Sequence, residues 1–211
     1  MAVTEHPMEA LRRFLPEGSF DEVISFIHQY RVHLTVSRKR KSVLGDYRHA
    51  GPGSNHRISV NGDLNAYEFL ITLLHELAHL LTFEQYRNRV EAHGPEWKQC
   101  YGRLLQHFVQ LGIFPPDITA ALQSSIINPA ATANGETALL LVLRKYNHKP
   151  SPDHIPVADV PEGAYFTTDN GRIYQKGPIR RKRYECVEIK TGLRYSFSAV
   201  MEVRVVGEVN G

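Results

Sequence analysis

Phe69, Leu70, Leu73, Leu74, Leu77, Leu80 and Leu81 recur at steps of three and four. That spacing predicts a long helix with a broad apolar face, from Asn65 through about Tyr86. Pro95 predicts the start of another helix after a polar loop over 87–94, because a first helical turn does not need the donor that proline lacks. Trp97, Tyr101, Leu104, Leu105 and Phe108 would form its apolar face, with Gly112 and Pro115-Pro116 ending it. Upstream, residues 6–14 read as helical. Ser19 and Glu22 have capping-box spacing, and Val23, Ile24 and Ile27 carry a second helix to about Tyr30. Val32, Leu34 and Val36 then alternate with His33, Thr35 and Ser37, the period of a strand. Two more short strands are expected near 45–49 and 56–60, separated by the turn-forming Gly51-Pro52-Gly53-Ser54-Asn55.

The pattern changes after about Ile127. Residues 128–136 are rich in Ala, Asn and Gly and read as a linker. From Thr137 the chain turns β-like, with strands expected over 139–143, 164–168, 172–175, 184–189 and 193–197. Asp169-Asn170-Gly171 and Lys190-Thr191-Gly192 supply hairpin turns. The expected layout is an α+β domain over residues 1–127, a linker over 128–136 and a small β-rich domain over 137–211.

Composition narrows the classes. Apolar residues make up 42% of the 211, enough for a core, and the formal charge is +3. With a pI of about 8.8, the chain can contact nucleic acid but does not require it. Cys100 and Cys186 stand far apart without a CxxC pair, which argues for a reducing compartment rather than a disulfide framework. Residues 1–18 mix Glu5, Glu9, Arg12 and Arg13 with apolar positions and lack the apolar run of a secretion signal. The apolar stretch over 69–83 is broken by His75, Glu76 and His79 and is too short for a bilayer. A cytoplasmic, soluble protein without membrane contact is therefore expected; the oligomeric state is left open, with a monomer favoured.

His75-Glu76-Leu77-Ala78-His79 is the one short motif with a mechanism of its own. Residues four apart on a helix return to nearly the same face, so both imidazoles can meet one ion, and Glu76 can serve as general base towards a metal-activated water. The alternative is a helix with two surface histidines. The surrounding leucines weigh against it, because they bury the motif, and each buried ring without a partner costs about 1–3 kcal/mol. A catalytic zinc usually takes three protein ligands. Glu91, His93 and Glu96 are the downstream candidates; His93 is preferred, because Gly94 can turn it back towards the first helix. The HExxHxxGxxH pattern is absent, since Thr82 and Gln85 hold its glycine and third histidine positions.

HELAH at 75–79, HGPEWK at 93–98 and the stretch between them resemble the SprT-like metalloprotease family, to which Spartan also belongs. Upstream, Ser37-Arg38, Gly45-Asp46-Tyr47-Arg48 and His56-Arg57-Ile58-Ser59-Val60 resemble the short strands that precede the family's active-site helix. The likeness covers roughly residues 15–115. It implies a zincin-like SprT domain, zinc ligands at His75, His79 and His93, a catalytic Glu76, and a protein or peptide substrate that is DNA-bound or DNA-crosslinked. Bacterial members often carry a C-terminal zinc ribbon with four cysteines. Only Cys186 lies in that region here, so the β-rich domain would resemble a ribbon without its cysteines, and one zinc ion is expected.

Two basic runs, Arg38-Lys39-Arg40-Lys41 and Arg180-Arg181-Lys182-Arg183, are candidate contacts to DNA phosphates. Solvated strand ends are the simpler use. Tyr165, Phe166, Tyr174, Tyr184, Tyr195 and Phe197 could stack on bases, but core packing is the preferred reading. His49, His56 and His107 could be neighbours of the site, but each is read as an ordinary histidine.

Overall fold

The computed structural model describes residues 8–38, 43–130, 136–147 and 154–207. Lys39, Arg40 and Lys41 of the first basic run lie outside them, as do residues 6–7 of the first expected helix and 131–135 of the expected linker. The chain divides into two compact units, Met1–Asn147 and His148–Gly211.

The first unit opens with a 3-10 turn, Glu9–Phe14, and helix α1, Phe20–Gln29. Ser19 does not cap α1 as expected. Its backbone is already helical, and its hydroxyl donates instead to the Pro16 carbonyl at 2.8 Å. Strands β1 (His33–Ser37), β2 (Gly45–Arg48) and β3 (Arg57–Asn61) follow. They form one sheet in the order β1-β3-β2, parallel between β1 and β3 and antiparallel between β2 and β3. Ile58 and Val60 of β3 point into the core at period two.

Helix α2, Ala66–Tyr86, runs through that core. Phe69, Leu70, Leu73, Leu74, Leu77 and Leu80 are wholly buried, so the helix is covered nearly all round. Asn65 caps it by accepting from the Glu68 N–H at 3.0 Å. Helix α3, Pro95–Gln110, packs alongside. Pro116 does not merely end α3: it occupies the first turn of a further helix, α4 (Pro116–Ile127), where a proline costs nothing. Gly102 of α3 has no side chain to block the Ile126 carbonyl of α4.

The strand expected at 139–143 is also corrected. Residues 137–143 form helix α5 (Thr137–Leu143), with Leu139 and Leu143 joining the core of the first unit. A run of five aliphatic residues has no period that separates strand from helix, and packing against α4 decides. The boundary between the units therefore falls after Asn147, beyond the expected linker.

The second unit is a six-stranded antiparallel sheet in the order β4-β9-β5-β6-β7-β8. Its strands are β4 (Ile155–Pro156), β5 (Tyr165–Thr167), β6 (Ile173–Arg180), β7 (Arg183–Glu188), β8 (Arg194–Ser198) and β9 (Glu202–Val206). Phe166, Tyr174 and Phe197 pack edge-to-face or stacked in its core, as the core reading of the aromatics expected. Gly171 and Gly192 adopt positive φ in the two expected turns. The whole chain is thus α+β with two sheets. No helix among the described residues is long and apolar enough to cross a membrane.

Candidate metal centre

Helix α2 sets His75 and His79 one turn apart, their ring centroids 5.1 Å from each other. A third imidazole arrives by another route. Arg87, at φ 55, ends α2, and a short 3-10 turn leads the chain back. The Gly94 N–H then donates to the Glu91 carbonyl at 3.1 Å, and Gly94 opens α3 with Pro95 in its first turn. This turn leaves the His93 ring 5.5 Å from His75 and 4.7 Å from His79. Ligand-capable atoms of the three residues all lie within 4.8 Å of one another. Glu91 is exposed and Glu96 half-buried, and neither joins the cluster.

Trp97 lines the group from α3. It is fully buried, with its ring 4.7 Å from His75, 5.2 Å from His79 and 4.7 Å from His93. Nδ1 of His75 and Nε2 of His93 are buried and have no hydrogen-bond partner among the described residues. Unpaired atoms of this kind cost about 1–3 kcal/mol each, a cost that a cation shared by the rings would remove. Burial, reinforced by His79 and His93, pushes His75 down to about 3. Burial and His93 push His79 down to about 4, and burial lowers His93 as well. All three rings are neutral near pH 7, the form that binds a metal. The residues therefore fit a single ion.

Glu76 is only 6% exposed, on the same helix and roughly 100° round from His75. A hydrogen-bonded chain reaches the neighbouring His79. The Ala50 N–H can only donate, and it meets Nδ1 of His56 at 3.2 Å. Nδ1 is thus an acceptor, the proton sits on Nε2, and Nε2 donates to Glu84 Oε1 at 3.2 Å. The Tyr47 hydroxyl donates to the same Nδ1 at 2.9 Å. The Tyr47 ring lies 3° from parallel to His79, at 6.3 Å. His56, read from sequence as an ordinary histidine, is therefore buried and two contacts from a candidate ligand. His107 pairs instead with Glu22 at 2.8 Å, and His49 stacks on Phe83.

Arg38 is exposed just past the end of β1, and Arg180, Arg181, Lys182 and Arg183 form the exposed tip of the β6–β7 hairpin in the second unit. Arg183 is tied down by Ser196, donating to its hydroxyl at 3.0 Å and its carbonyl at 2.9 Å. Cys186, the second unit's only cysteine, is buried, and no disulfide forms.

No curated protein and no solved structure gives a significant match to the chain. The model of the SprT-like family, which is associated with metallopeptidases, matches residues 11–117. That span carries every element that aims His75, His79 and His93 at one another, and it covers half of the sequence; the chain belongs to the SprT-like family.

Proposed function

We propose that this protein is a zinc-dependent metalloendopeptidase in which His75, His79 and His93 hold one zinc ion and Glu76 is the general base. The observation that carries the reading is the convergence of three neutral, partly orphaned imidazoles beside a buried carboxylate. Three nitrogen donors without a thiolate suit a catalytic zinc with one position left open. When bound, zinc supplies Lewis-acid chemistry, acidifying water and polarising a peptide carbonyl. Glu76 accepts the proton of the attacking water on a carboxylate oxygen. It then returns that proton to the amide nitrogen as the C–N bond breaks. Trp97 packs against all three imidazoles, which limits their rotation and keeps the donor set in place.

The substrate is a protein or peptide, and proteins bound or crosslinked to DNA are the proposed class. That narrower choice draws on the family likeness and on the exposed Arg180-Arg181-Lys182 tip. A second reading draws on the same tip: a zinc-holding module that binds DNA or a protein partner with little proteolysis. One comparison separates the two. Glu76→Gln keeps the shape of the side chain and removes the base, so cleavage of a DNA-crosslinked protein should fall by about 10²–10⁴-fold while zinc content is unchanged. Equal cleavage by wild type and variant would sink the mechanism. Binding of the substrate without any cleavage by wild type would favour the module.

A further inference from the structure

The first residue of β2 is a glycine with no conformational reason to be one. Gly45 pairs with Val60 in the regular antiparallel ladder, and its φ is not among the positive values of the chain. A glycine in a strand weakens it, so the position calls for another explanation, and close approach is the usual one. A Cβ built on Gly45 would fall 2.5 Å from Oε1 of Glu76, 2.9 Å from its Cγ and 2.8 Å from Cγ2 of Thr72. Real Cβ atoms do not approach other heavy atoms that closely. Glu76 is itself only 6% exposed, so its carboxylate cannot simply swing out into solvent.

We infer that Gly45 is a positioning residue for the Glu76 carboxylate: the absent side chain is the space the carboxylate occupies. The inference rests on the peptidase reading for its catalytic consequence but not for the contact itself. Any side chain at position 45 pushes the carboxylate from its place while leaving the three histidines where they are, because the three atoms nearest a Cβ there belong to Glu76 and Thr72 and none to a histidine. A displacement of about one ångström at a catalytic group costs roughly 100-fold in rate.

The test uses full-length Gly45→Ala in the wild-type and Glu76→Ala backgrounds. In the wild-type background, kcat on labelled casein should fall roughly 100-fold with KM within about threefold, because the lost interaction serves the chemical step. Zinc content by elemental analysis should match wild type. Melting temperature should drop. In the Glu76→Ala background, where two of the three clashing atoms are gone, the same alanine should cost less melting temperature, a coupling expected only of groups in contact. A Gly45→Ala chain that folds only alongside Glu76→Ala would support the same contact. Three results overturn the proposal: kcat within about threefold of wild type, zinc lost in step with activity, or the same thermal cost in both backgrounds. If wild type cleaves nothing that Glu76→Gln leaves uncut, the peptidase reading falls, and the melting comparison still decides the contact.

Discussion

His93 shows how one turn can complete a site. Alone it is a half-buried histidine before a helix; Gly94 and Pro95 swing it to within 4.7 Å of His79. His93→Ala should lower zinc affinity by more than the roughly 10–100-fold that outer-shell changes cost, whereas Glu91→Ala and Glu96→Ala should keep wild-type affinity. Competition with a chelator measures all three, and undiminished affinity in His93→Ala would move the third ligand to a glutamate. The two histidines of α2 were legible because helical periodicity fixes what faces what four residues apart. His93 was legible only as a preference among three candidates, since a loop has no period. Tyr47 and Gly45 were not legible as neighbours of the site, and His56 only as one of three histidine candidates for such a place. Their sheet partners are fixed by register, but their meeting with α2 depends on how sheet and helix pack.

At the scale of elements, the long helix announced itself most clearly. Its leucines and its two ends were readable because the apolar repeat runs from just after Asn65 to about Tyr86. The structure adds a second duty to the cap. The Asn65 side-chain amide donates to the Leu143 carbonyl at 3.0 Å and to Asn147 Oδ1 at 2.9 Å, so the start of the helix that carries His75 and His79 is pinned to the end of α5. Asn65→Ala removes the cap, worth about 1 kcal/mol, and strips a buried carbonyl of its donor, worth about 1–3 kcal/mol. Denaturant melts should show a loss of about 2–4 kcal/mol; a loss under about 0.5 kcal/mol, the range of an ordinary surface change, would mean the pin carries no load. What escaped the sequence reading escaped for local reasons. Pro115-Pro116 is equally good as a stop and as a start, and only the packing of Ile118 and Leu122 selects the start. The short strands β4 and β9 lack the turn glycines that flagged the β5–β6 and β7–β8 hairpins.

Across the whole molecule, the family match ends at residue 117, and the sheet of the second unit lies entirely beyond it. That sheet has hairpin turns of the expected kind and an aromatic core. Its four consecutive basic residues, three of them free of the Ser196 anchor, sit on a two-residue turn with Arg181 at φ 58. If this tip meets DNA phosphates, replacing Arg180, Arg181 and Lys182 together by alanine should flatten the dependence of log affinity on log salt by about 2–3 units, one for each lost contact. Titration of a labelled duplex at several salt concentrations reads that slope, and an unchanged slope would clear the hairpin of any such role. One further property belongs to the molecule as a whole. Trp97 is its single tryptophan, and it stands against all three candidate ligands. Excited at the red edge, past its ten tyrosines, the intact chain emits light from that one indole. The protein thus carries an unlabelled optical gauge of the candidate metal centre: zinc loading and stripping, or exchange for a quenching ion such as cobalt, should change that emission in real time.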